Sequence, residues 1–169
     1  MSTVSLIEVA ASDGPELVQA HIESRDYHHP WVTTFTDPTQ FAAWFARIDR
    51  DRMMSFVARH RDGRIVGLCT LSEIVRGGFQ SAYLGFHGMV ASAGQGLMTE
   101  AVKLTVKHAF GVIGLHRVEA NIQPDNSRSI ALVRRLAFTR EGYSRDYLNI
   151  GGRWRDHERW ALLATDVRP

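Results

Sequence analysis

The chain has a single cysteine among its 169 residues, so no disulfide can form within it. That residue, Cys69, sits in the apolar run Ile65-Val66-Gly67-Leu68-Cys69-Thr70-Leu71, which predicts a buried thiol rather than a nucleophile. An unpaired thiol also points to a reducing compartment. No apolar run reaches the roughly 18 residues of a membrane span, and no signal peptide opens the chain, so a cytoplasmic protein with no membrane partner is expected. Charge of one sign is scarce too. The net charge is +2 and the arginines are scattered among acids rather than drawn into a stripe, which excludes the usual footprint of a nucleic-acid partner. Internal repeats, low-complexity tracts and linkers are absent. With 44% apolar and 22% charged residues, the composition is that of a globular protein, and the length suits one domain spanning 1–169.

Two motifs are missing from the stretch Val90-Ala91-Ser92-Ala93-Gly94-Gln95-Gly96-Leu97-Met98-Thr99-Glu100-Ala101. It lacks the third glycine of a dinucleotide fingerprint, and no Gly-Lys-Ser/Thr follows as in a nucleoside-triphosphate loop. What is present is an apolar strand, two glycines around one residue, and a helical pattern that begins at once. By itself this suits a tight strand-to-helix connection. It also suits an anion site: glycines at 94 and 96 let the backbone approach a ligand, and the free amides that open the helix favour a phosphate or pyrophosphate.

In chain order, 4–9 reads as a strand and 14–24 as a helix with Asp13 as N-cap. Asp26-Tyr27-His28-His29-Pro30-Trp31 reads as a loop rich in aromatics and imidazoles. Adjacent His28 and His29 without a third ligand make a poor metal site, so no metal is expected. Trp31 suits either simple packing or one wall of a substrate cleft. Asp37-Pro38-Thr39-Gln40 starts a second helix, with Phe41, Trp44, Phe45 and Ile48 along one stripe. Strands at 55–59, 65–75 and 80–90 form an antiparallel meander, and helix 97–110 leaves it, ending near Gly111 and Gly114. A strand at 115–123, a short helix to 136 capped from Gln123-Pro124-Asp125-Asn126, and a hairpin of 138–150 with 154–164 around Gly151-Gly152 complete the chain.

This order resembles the GNAT acetyltransferase superfamily. The short motifs resemble its RimJ/RimL branch, nearest to the ribosomal-protein alanine N-acetyltransferases. The carriers are Ala82-Tyr83-Leu84-Gly85-Phe86, the Gly94 to Ala101 turn, His116-Arg117-Val118-Glu119-Ala120-Asn121, Pro124-x-Asn126-x-x-Ser129, Phe138-x-x-Glu141-Gly142-Tyr143 and Gly152-Arg153-Trp154-Arg155-Asp156-His157. The resemblance implies a mixed α/β GNAT fold: a mostly antiparallel sheet of six to seven strands, a splayed central strand pair and about four helices. It implies acetyl-coenzyme A as co-substrate, with Met89 and Val90 beside the pantetheine arm and Gly94, Gln95, Gly96, Leu97 and Met98 on the pyrophosphate. Two departures stand out. Ala91 occupies a position where the family usually has Arg or Gln, and Leu136-Ala137-Phe138 replaces Leu-Gly-Phe.

For chemistry, the resemblance places Asn126 on the cofactor and Ser129 near the thiol, as proton donor to the leaving thiolate. Satisfaction by the preceding helix carbonyl is the plainer reading of that serine. A backbone amide near Met89 and Val90 is the expected oxyanion donor. Glu73 and Asp146 are the candidate bases, and Trp31, Trp154 and Asp156 the candidate acceptor-site residues, Asp156 alternatively pairing with an arginine. The acceptor is either a protein N-terminus, plausibly ribosomal, or a small amine such as an antibiotic, polyamine or amino acid. A non-catalytic coenzyme A sensor is the third reading, and a homodimer is left open.

Overall fold

The computed structural model describes residues 3–167. Seven strands form one sheet: β1 (Val4–Glu8), β2 (Met54–His60), β3 (Ile65–Val75), β4 (Ser81–Gly88), β5 (Arg117–Ile122), β6 (Thr139–Ile150) and β7 (Arg153–Leu163), in the order β1-β2-β3-β4-β5-β7-β6. Every neighbouring pair is antiparallel except β4 and β5. The helices α1 (Gly14–Glu23), α2 (Arg25–His28), α3 (Pro38–Phe45), α4 (Leu97–His108) and α5 (Ser127–Arg135) number five where about four were expected. The extra one is α2, a single turn inside the stretch read as a loop.

The sheet separates two cores because successive strand residues face opposite sides. Phe56, Ala58, Cys69, Leu71, Val118 and Ala120 pack with Ala101 and Val102 of α4 and Val133 of α5. Val57 and Leu68 face the other way, against Leu17 of α1 and Phe41 of α3. Cys69 is fully buried, which pushes its thiol up to about 12 and keeps it from serving as a thiolate.

Local signals explain most boundaries. Asp37 caps α3, its side chain accepting from the Gln40 amide, and Asn126 caps α5 in the same way from the Ser129 amide. Asp13 makes no such cap. Its carboxylate accepts from the Ala10 amide and binds the Arg59 guanidinium instead. The fourth helix continues through Gly111 as a π turn over Ala109–Ile113 and is closed by Gly114, one of the two glycines expected near its end, in the left-handed region. β4 ends at Gly88, so Met89 and Val90 lie beyond the strand, Val90 opening a short 3-10 turn. Gly151 and Gly152, both at positive φ, make the β6 to β7 hairpin turn. Among the described residues no helix is long and apolar enough to cross a membrane.

Candidate active site

β4 and β5 pair only at Ser81, Ala82 and Tyr83, opposite Arg117, Val118 and Glu119. Past Tyr83, β4 stays bonded to β3 as far as Gly88, opposite Gly67, while β5 follows β7 to Ile122, opposite Glu158. Each strand keeps one ladder and gives up the other, which opens a wedge in the middle of the sheet. The Met89 amide donates to the Val66 carbonyl, and the Gln80 carbonyl accepts from His116 and Arg117. By the alternation of an antiparallel ladder, Phe86 and Gly88 therefore turn their backbone groups into the wedge.

A cavity of about 670 Å³ runs through this wedge from one helix layer to the other. Met98, Asn126, Ser129 and Leu132 line it on the side of α4 and α5, and His21, Phe35, Trp44, Arg47, Leu148 and His157 line it on the opposite side. A second cavity of about 540 Å³ adjoins, with Val90, Asp125 and Ser127 in its wall. Tyr27, Trp31, Asn126 and Arg128 border both, and the Arg128 guanidinium lies 5.1 Å from the Tyr27 ring centre.

Gly94 and Gly96 hold φ at +72° and +76°, and a Cβ on either would meet nothing within 4 Å. The left-handed backbone, not crowding, is what requires glycine there. Among the described residues nothing accepts from the amides of Gly94, Gln95, Gly96, Leu97 or Met98. These donors open a twelve-residue helix, where the helix dipole adds positive potential. Met98 then reaches back over the sheet. A Cβ at Gly67 would lie 2.4 Å from its sulphur and one at Gly88 2.7 Å from its Cγ, so two strand glycines seat the start of α4. Beside the turn, Arg64 Nη2 donates to Gln95 Oε1 at 2.9 Å, while Gln95 Nε2 donates to the Ala91 carbonyl.

Some of the candidate site residues line the cavity. Ser129 and Asn126 line the cavity, the Asn126 oxygen is held by the Ser129 amide, and the Ser129 hydroxyl has no hydrogen-bond partner among the described residues. Trp31 is wall, fixed by its carbonyl accepting from Gln123 Nε2 across the wedge.

Others are displaced. Glu73 sits in the β3 bulge level with the closed end of the wedge, at φ +49°, its exposed carboxylate 3.8 Å from Arg52. Asp146 lies in a β6 bulge between Ser144 and Leu148, at φ +45°, and this bulge breaks the alternation that would have put it on the face of Leu148. Neither lines the cavity. Asp156 is spent on that bulge, accepting from Tyr143 Oη at 2.6 Å and the Asp146 amide at 2.8 Å, and among the described residues it pairs with no arginine. Trp154 is 62% exposed on the outside of the hairpin. The amides of Met89 and Val90 are also taken, by the Val66 carbonyl and the Ser24 hydroxyl.

Histidines to which the sequence analysis gave no catalytic part line the cavity. No Asp or Glu is among its lining residues, whereas four histidines are: His21, His28, His87 and His157. His21 Nδ1 donates to the Phe35 carbonyl at 3.0 Å, His28 Nε2 to the Gly88 carbonyl at 2.8 Å and His157 Nδ1 to the Arg155 carbonyl at 2.9 Å, since a carbonyl can only accept. Burial lowers all four: His21 to about 4, and His28, His87 and His157 below the ordinary imidazole value, with His21 and His28 depressing His87 further. The set is neutral at physiological pH. Asn121 Oδ1, buried in the cavity wall, has no partner among the described residues. His29 is exposed, and among the described residues no group of three or more His, Cys, Asp or Glu is placed to hold a metal ion.

Comparison with known proteins agrees with this geometry. The acetyltransferase (GNAT) domain family matches residues 4–139. A probable N-acetyltransferase, YjcK of Bacillus subtilis (strain 168), is 30% identical over 97% of this chain and 96% of its own length. The [ribosomal protein uS5]-alanine N-acetyltransferase of Escherichia coli (strain K12) is 32% identical over 93% of this chain and 86% of its own. A solved structure of Mycobacterium smegmatis RimJ in complex with CoA-disulfide superposes with a TM-score of 0.90 at 27% identity, covering 98% of this chain and 84% of that one.

Proposed function

The chain belongs to the GNAT acetyltransferase family, and from that premise we propose that it acetylates the α-amino group of a protein N-terminus, with a ribosomal protein as acceptor. It is an N-acetyltransferase, and acetyl-coenzyme A is the donor its family uses. The residues present fit that donor. Five unpaired amides at a helix start suit a pyrophosphate, and the wedge is open through the sheet for a pantetheine arm beside the Phe86 and Gly88 amides. When bound, the donor supplies an acetyl thioester. Asn126 and Ser129 flank its path, Ser129 with a free hydroxyl for the departing sulphur, and the Phe86 and Gly88 amides replace Met89 and Val90 as donors to the carbonyl oxygen.

The observation that carries the acceptor reading is a cavity without a carboxylate. A polyamine brings two or more positive charges, and burying them unpaired costs several kcal/mol each by order of magnitude. An N-terminal amine, with a pKa of about 8, enters partly neutral and needs no counter-charge. The names of the Escherichia coli relative and the solved RimJ support the same class. We place the protein in the cytoplasm, acting as one domain over 1–169.

The test is acetyl-coenzyme A-dependent release of free thiol with short peptides varied at the first residue, alongside spermidine and free amino acids. Turnover confined to peptides with a free N-terminus is the expected result. Turnover confined to the small amines would overturn the reading.

A further inference from the structure

The cavity wall contains a chain of imidazoles whose direction is fixed by the backbone. The Phe35 carbonyl can only accept, so His21 carries its proton on Nδ1 and presents a lone pair at Nε2. That lone pair stands 3.0 Å from His87 Nε2, which must then be the donor. His87 is left with a lone pair at Nδ1 and no partner for it among the described residues. Beside it His28, locked by Gly88, holds a fully buried Nδ1 with no partner among the described residues. The ring centres of the three lie 5.0 to 5.6 Å apart.

Position singles out His87. It stands on β4 between Phe86 and Gly88, whose amides face the wedge, while its ring lies on the side of α1 and α2. The charged groups lining the same cavity are Arg47, after α3, and Arg128 of α5. The other titratable ones are His21 of α1, Tyr27 and His28 of α2, and His157 of β7. No carboxylate lines this cavity; Asp26 of α2 and Asp125, before α5, line the adjoining one.

We propose that His87 Nδ1 takes the proton that leaves the acceptor amine, with His21 and the Phe35 carbonyl as the chain behind it. As the amine nitrogen bonds to the acetyl carbon and the carbon–sulphur bond breaks, the bonding pair departs on sulphur, which is protonated through Ser129 from solvent. The amine's surplus proton goes to His87 Nδ1. Its Nε2 proton can then pass to His21 Nε2, spreading the charge over two rings, one of them anchored on a carbonyl. The proton returns to solvent before the next turnover. This rests on acetyl transfer to an amine and not on which amine is the acceptor.

The experiment compares wild type with His87→Gln, His21→Gln and His157→Gln, using any amine that turns over. Glutamine at 87 keeps an N–H for His21 but provides no base. His87→Gln should bind coenzyme A within about threefold of wild type yet lose on the order of 10²–10⁴-fold in kcat, with partial recovery on adding imidazole and as pH rises. His21→Gln should lose less. Retention of kcat within threefold in His87→Gln overturns the proposal, as does an imidazole-rescued loss in His157→Gln alone. Should His87→Gln not fold, ¹⁵N-histidine spectra of the wild type decide without any acceptor. Nε2 protonated and Nδ1 bare at His87 from pH 5.5 to 7.5 supports it, and a proton on Nδ1 at pH 7 overturns it. Failure of the peptide panel would change the acceptor and leave these spectra untouched.

Discussion

Ala137 shows what one residue type costs at one backbone angle. The Phe138 amide bonds the Val133 carbonyl and the Ala137 amide bonds that of Arg134, a complete Schellman close to α5, with Val133 and Phe138 both in the core. That close puts Ala137 at φ +63°, in the left-handed region that favours glycine. The left-handed region costs a residue with a Cβ about 1–2 kcal/mol, and glycine returns about 0.5–1 kcal/mol of it to the entropy of the unfolded chain. Ala137→Gly should therefore stabilise the protein by about 0.5–1 kcal/mol, seen as a rise of roughly 1–4 °C in Tm. An unchanged or lower Tm would show that the strain is absent. The substitution was visible in the sequence. Its meaning needed the angle.

At the scale of elements, the wedge and the α4 turn are joined through Met98. Gly67 lets that side chain lie flat on the sheet, and an added Cβ would also sit 2.4 Å from the His87 carbonyl oxygen, a backbone atom that cannot swing away. Gly67→Ala should cost about 1–3 kcal/mol through overpacking, and it should weaken coenzyme A binding by displacing the helix start that presents the amides. Calorimetric titration with coenzyme A checks the second part. Unchanged affinity in a folded Gly67→Ala protein would separate Met98 from the anion turn. The strands, α3, α5 and the glycine turn were legible because local chemistry sets them: alternation, the Asp37 and Asn126 caps, Gly94 and Gly96. The β3 and β6 bulges were not legible, since Glu73 and Asp146 at positive φ have nothing in their sequence neighbourhood that demands it.

On the scale of the whole molecule, α1, α2, β4 and β7 together bury four neutral histidines, and this ties stability to pH. In the unfolded chain His21 takes up its proton as pH falls through 6.5, but in the fold it does so only near 4. Between those values the unfolded state binds more protons, so stability falls as pH drops from about 6.5 to 4 and levels off below for this residue. The shift corresponds to about 3 kcal/mol, and His28, His87 and His157 act in the same direction. Carboxylates held low by partners, such as Glu141 beside Arg117, add their losses only below their ordinary value of 4.5. Urea midpoints at pH 7.5, 5.5 and 4.5 should fall steadily, with a shallower fall in His21→Gln. A midpoint that does not move between pH 7.5 and 5.5 would contradict the neutral buried cluster.

The sequence alone determined what depends on neighbours in the chain: the strand and helix order, the glycine turn with its anion-binding amides, the buried lone thiol and the family likeness. The histidine-lined wall of the cavity was decided only by the tertiary structure. His21, His28, His87 and His157 lie on four separate elements, and nothing in their spacing foretells that the wedge gathers them. The candidate carboxylates Glu73 and Asp146 sit in bulges outside the cavity lining, and the Met89 and Val90 amides bond Val66 and Ser24. A proton acceptor is defined by what surrounds its lone pair. Those surroundings exist only once the strands have parted and the helices have closed over the gap.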